Sequence, residues 1–150
     1  MDWLEIFIRL GSAALIGGAI GLNRDLHHKA SGLRTLSLVC LGAALATLSV
    51  GQNTADASRV IQGLITGIGF LGAGVIVHEA GDSKVRGLTT AATIWVTALL
   101  GAACGLGAWR SVAAAISIIA AILLMGGRIE RAVHTALDGD GAKPDHHSDA

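Results

Sequence analysis

The 150-residue sequence predicts an all-α, polytopic membrane protein, with five transmembrane helices bundled through small side chains. Three observations predict this class. Charged residues make up only 15% of the chain and avoid long stretches of it, whereas soluble domains carry roughly 25%. Twenty-one glycines stand against two Phe, three Trp and no Tyr. A soluble core of this length fills space with aromatics, but helices in lipid gain packing energy where small residues let backbones approach. Finally, five apolar stretches of near-bilayer length are separated by short polar loops.

The first stretch, 3–22, follows the acidic start Met1-Asp2-Trp3-Leu4-Glu5. A secretory leader starts basic, so this segment is expected to be kept as a span. The others are 33–50, 60–77, 88–106 and 110–125, joined by "NRDLHHKASG", "GQNTADASR", "HEAGDSKVRG" and "GAW". Residues 1–126 are thus expected to form one membrane domain. Residues 127–150 form a short tail, helical at first and disordered from Asp140. The tail's "DHHSD" is not expected to be a metal site.

Basic residues favour the cytoplasmic side. Arg24, Lys29, Arg34, Lys84, Arg86, Arg128, Arg131 and Lys143 fall on one side of a five-span arrangement, and Arg9, Arg59 and Arg110 toward the other. The N-terminus is therefore expected outside and the C-terminus in the cytoplasm. Trp3 and Trp109 then share the outer interface, where indole rings prefer to lie. Net charge is zero, so no nucleic-acid partner is expected. Cys40 and Cys104, counted from Gly32 and Gly87, differ in depth by about 13 Å at about 1.5 Å per residue, so no disulfide is expected.

Two phrases repeat: Lys29-Ala-Ser-Gly32-Leu-Arg34-Thr35 before the second span and Lys84-Val-Arg86-Gly87-Leu-Thr89-Thr90 before the fourth. Gly18-x-x-Gly21 and Gly69-x-x-Gly72 match loosely in the spans preceding them, which suggests a two-helix unit used twice in parallel. Ser31 is a candidate N-cap, and Thr35, Thr89 and Thr90 can satisfy backbone groups at the helix starts. The fourth span repeats small residues at Thr89, Thr93, Thr97, Gly101 and Gly105. The first does so at Ala13, Gly17 and Gly21, and the third at Gly63 and Gly67, with Gly69, Gly72 and Gly74 nearby. Such stripes favour helix packing. The alternative is a polar pathway along Gln62, Thr66, Thr93 and Thr97.

Magnesium takes oxygen ligands, usually with one or two carboxylates, and the sequence puts no carboxylate at mid-membrane depth. Glu5 is expected to pair with Arg9, four residues on. Asp25, Glu79 and Asp82 stand beside Arg24, Lys84 and Arg86, which reads as an ion-pair network rather than a cation site. His78 is expected to be solvated or capped. Two helix N-termini among basic residues form a face suited to a lipid phosphate or an acidic partner.

"GLNRDLHHKASGLRTLSLVCLGAAL", "GLITGIGFLGAGVIV" and "VRGLTTAATIWVTALLGAACGLG" resemble the MgtC/SapB family of bacterial membrane proteins over nearly all of residues 10–125. The resemblance implies an inner-membrane protein linked to growth in low magnesium and, in some pathogens, to survival inside host cells. Some members are described as candidate magnesium transporters. Others look like regulators that bind membrane partners, including the ATP synthase. Two features depart from the family pattern: Asn23 stands where members often carry an acidic residue, and the sequence ends where many continue into a cytoplasmic domain. No nucleophile, base and orienting group form a catalytic set, so neither enzyme activity nor a cofactor is expected. Lipid, a membrane-protein partner, a second copy of the chain and Mg2+ stay open as partners, and no residues are singled out as metal ligands.

Overall fold

The structure is a computed structural model that describes residues 1–51, 54–78 and 85–139. Lys84, Glu79 and Asp82, together with the tail from Asp140, lie outside the described residues. Five helices follow in order: α1 (Trp3–Leu26), α2 (Leu33–Ser49), α3 (Thr54–Gly74), α4 (Leu88–Gly105) and α5 (Trp109–Gly139). Between α3 and α4 lie two short strands, β1 (Val77–His78) and β2 (Val85–Arg86), paired antiparallel with Val77 opposite Arg86. The sequence reading missed this hairpin, because two-residue strands leave no alternation to read.

Among the described residues two helices, α1 and α4, are long and apolar enough to cross a membrane. The apolar helix α2 and the stretch Trp109–Leu123 of α5 are shorter. The 17 residues of α2 span about 26 Å at about 1.5 Å per residue, just under the hydrocarbon thickness of about 30 Å. α3 opens with Asp56 and Arg59 and carries Gln62 further on. Those polar groups hold its apolar run below a full span.

The chain divides into two compact units, Met1–Val112 and the part from Ala113 on. The second contains most of α5, which continues unbroken to Gly139. In the first, α1 packs on α2 and α4, α2 packs on α4, and α3 packs chiefly on α4. Glycines set these distances. A Cβ at Gly17 would come within 2.7 Å of the Cys40 Cβ, and one at Gly21 within 2.5 Å of the Leu33 Cα. A Cβ at Gly101 would overlap the Cys40 carbonyl, and one at Gly105 the Ala44 carbonyl and the Thr47 hydroxyl. α2 is therefore gripped on both sides, by α1 running antiparallel and by α4 running parallel to it.

The parallel register corrects the cysteine depths. Gly101 lies level with Cys40, so Cys104 is offset from Cys40 by only three residues, about 4.5 Å along the axis, not 13 Å. Counting from Gly32 and Gly87 fails because α4 begins about six residues before α2 along their shared direction, 13 residues before Gly101 (101 − 88) against 7 before Cys40 (40 − 33). Both cysteines are fully buried and free.

α3 behaves differently from its sequence stripe. A Cβ at Gly63, Gly67, Gly69 or Gly74 would meet nothing within 4 Å, and Gly72 alone approaches a neighbour, at 3.5 Å from the Ala91 Cβ. α3 meets the core formed by Ala43, Ala98 and Ala102 through Leu64 and Ile68 instead. Four of its glycines therefore do not pack within the first unit. The bulkier face is the one turned to α4, where it buries more apolar area.

Candidate functional site at the basic end of the bundle

The buried face of α1 repeats every three or four residues: Arg9, Ala13, Gly17, Gly21 and Arg24. An arginine stands at each end of this stripe, and both arginines are buried, at 8% and 5% exposure. Each reaches α4. Arg9 donates from Nη1 to the Gly105 carbonyl at 2.7 Å, and Arg24 donates from Nη2 to the Thr90 Oγ1 at 2.5 Å. The two arginines are 15 residues apart on α1 (24 − 9), and their partners are 15 apart on α4 (105 − 90). The two helices thus run antiparallel in matched register, clamped at both ends.

The two clamps differ electrostatically. At the α4 C-terminus the guanidinium of Arg9 meets the negative end of a helix dipole, a favourable placement. Glu5 pairs with it as the sequence predicts. Gly107, with φ +72°, leaves room for that guanidinium, since a Cβ there would lie 2.9 Å from its Nη2. At the other end Arg24 meets the positive start of α4. No carboxylate among the described residues pairs with Arg24, and its Nε has no partner.

Asp25 is occupied elsewhere. Its Oδ2 accepts the backbone N–H of Leu33 at 2.9 Å and so caps α2 from across the turn. Ser31 does not serve as the cap: it sits at φ +66° and Gly32 holds the N-cap position. A Cβ at Gly32 would overlap the Asp25 carboxylate as it caps α2, so a larger residue there would displace the cap. Gly87 has a parallel reason in a different conformation, φ +93°, where a Cβ would overlap the Val75 carbonyl. The repeated phrase therefore starts two parallel helices, yet each glycine clears a different obstacle. Asp25→Ala is expected to lower stability by about 1 kcal/mol, the usual worth of an N-cap; thermal unfolding in detergent would show it.

Among the other basic-end residues, Lys29, Arg34, Thr35, Arg86 and Thr89 are exposed. Because Arg34 opens an apolar span, the sequence leads one to expect its guanidinium to be partner-bound; instead Arg34 is exposed, and the buried, bonded arginine is Arg24. α1 runs one turn past Leu22, and this extra turn carries Arg24 onto the buried stripe. The signal was available in sequence, since Arg9 and Arg24 extend the Ala13-Gly17-Gly21 spacing at both ends.

The four residues of the polar-pathway alternative separate into two places. Gln62 and Thr66 are exposed on α3, while Thr93 and Thr97 are buried on α4. Thr66 and Thr93 spend their hydroxyls on the carbonyls of Gln62 and Thr89, each four residues back. Thr97 is fully buried and its Oγ1 has no partner among the described residues. Thr47, which the sequence reading overlooked, is also fully buried and bonds the Ala102 carbonyl at 3.0 Å, fastening α2 to α4. No group of three or more His, Cys, Asp or Glu among the described residues could hold a metal ion.

Residues 10–132 match the model of the MgtC family. The chain belongs to the MgtC family. It is 45% identical over 123 residues to protein SrpB of Synechococcus elongatus, an alignment covering 73% of this chain and 68% of that protein. It is 40% identical over 138 residues to protein MgtC of Salmonella typhimurium, covering 91% of this chain and 59% of the relative. With protein MgtC of Brucella abortus it shares 44% identity over 115 residues, covering 75% of this chain and 48% of the relative. The chain thus spans about half to two thirds of the length of these relatives. No solved structure matches it.

Proposed function

We propose that this MgtC-family chain serves magnesium-related homeostasis in a bacterial inner membrane by docking a membrane partner through its basic end, rather than by conducting an ion. In this reading all five helices enter the membrane, with the N-terminus outside and the C-terminus in the cytoplasm. The magnesium role rests on the family. The docking role rests on one observation: α1, α2 and α4 meet backbone to backbone at Gly17, Gly21, Gly101 and Gly105. Close packing of that kind fills the centre of the three-helix core, where a conduit along Thr93 and Thr97 would have to pass. Lys29, Arg34 and Arg86 meanwhile stand exposed at one end, as a docking surface requires.

Purified protein in liposomes is expected to give no Mg2+ flux above that of empty liposomes. Flux that depends on the protein would restore the transport reading, with Thr93 and Thr97 as the first residues to vary. For orientation, a reporter active only in the periplasm is expected to be silent at the C-terminus and active in the short connection between α2 and α3. The reverse pattern would place the basic end outside the cell.

A further inference from the structure

The start of α4 combines three facts that do not balance. Arg24 is 5% exposed, and its charge has no carboxylate partner among the described residues. Its Nη2 is bonded to the neutral Thr90 hydroxyl, and its Nε is buried with no acceptor. The helix start beside it is itself positive, and its N-cap residue, Gly87, has no side chain to neutralise it. The neighbouring helix shows the opposite arrangement, since α2 receives a carboxylate from Asp25. A buried guanidinium next to uncapped N–H groups is the donor set that binds a tetrahedral oxyanion. Leu88 and Thr89, on the first turn of α4, are exposed and leave a way in.

We propose that Arg24 and the first turn of α4 form a binding site for a phosphate-type oxyanion, supplied either by the headgroup of an anionic lipid or by free phosphate. The anion offsets the Arg24 charge and the α4 dipole together, and it accepts from the Arg24 Nε. It thereby ties the bundle to its ligand at the junction of α1 and α4. The proposal deepens the docking reading by naming a ligand for the basic end. It is measured on the isolated chain, whereas docking of a protein partner and the absence of flux are measured otherwise, so either can fail alone.

The test is thermal unfolding of the full chain in neutral detergent, titrated in one arm with inorganic phosphate and in another with phosphatidylglycerol, with phosphatidylcholine as the control. A rise in unfolding temperature with phosphatidylglycerol but not phosphatidylcholine is expected for the parent and for Arg110→Gln, an exposed arginine at the start of α5. A matching rise with inorganic phosphate identifies the free ion as sufficient; a rise with the lipid alone identifies the headgroup. Arg24→Gln is expected to weaken the half-saturation point by about tenfold or more, the scale of a lost charged hydrogen bond. Leu88→Asp, which sets a carboxylate on the first turn, is expected to raise the unfolding temperature without ligand and to abolish the ligand-dependent rise. No rise in the parent overturns the site, as does an undiminished rise in Arg24→Gln. If Arg24→Gln does not fold, Leu88→Asp decides: a rise as large as the parent's overturns the site.

Discussion

Gly101→Leu is expected to remove most of the folded, monodisperse protein recovered in mild detergent. A Cβ at this position would overlap the Cys40 carbonyl oxygen and lie 2.8 Å from the carbonyl carbon and 2.9 Å from the Cα. These are backbone atoms, which cannot swing aside as a side-chain end can. Nor can α2 retreat, because on its other face the same turn, Leu36 to Cys40, is pressed against Gly17. The expected cost is at or above the upper end of the roughly 1–3 kcal/mol usual for overpacking. Gly63→Leu is the control. It adds the same side chain on α3, where a Cβ meets nothing within 4 Å, and is expected to leave the unfolding temperature near the parent's. Equal unfolding temperatures for the two variants would mean that α2 and α4 do not meet at Gly101.

The contrast between these glycines marks how far the sequence could be read. Periodicity identified the stripes on α1, α3 and α4 alike, because small residues four apart always share a helix face. It could not say which stripe faces a neighbour. On α1 and α4 the stripe meets α2, whereas on α3 the contact falls to Leu64 and Ile68. The parallel course of α2 and α4 was legible from the repeated phrase, and the Glu5–Arg9 pair from its spacing of four. The bonds between helices were not: Asp25 to Leu33, Thr47 to Ala102 and Arg9 to Gly105 each depend on the register of one helix against another. That register depends on turns such as Ser31 and Gly87, whose positive φ values no apolar pattern encodes.

Arg24 and Arg34 carry the sharpest reversal between sequence and structure, and their exchange has a functional consequence. Sequence depth favours Arg34 as the constrained guanidinium, since it opens an apolar span. In the structure Arg34 is exposed on α2, while Arg24 is buried and bonded to Thr90. Arg24→Ala removes a hydrogen bond to a charged group, worth about 1.5–3 kcal/mol. It also relieves a cation at a helix N-terminus, which returns about 0.3–1 kcal/mol. The first effect is larger, so the variant is expected to lose stability and, with it, growth on low magnesium in a strain lacking its own copy. Arg24→Lys keeps the charge but loses the planar fork, and is expected to fall between Arg24→Ala and the parent. Arg34→Ala removes one of three exposed cations at the docking end; it is expected to keep the parent's unfolding temperature and to lose less growth than Arg24→Ala at equal membrane expression. If Arg34→Ala is instead the damaging change and Arg24→Ala is silent, the bond from α1 to the start of α4 is dispensable. The exposed surface of α2 would then be where the protein meets its partner.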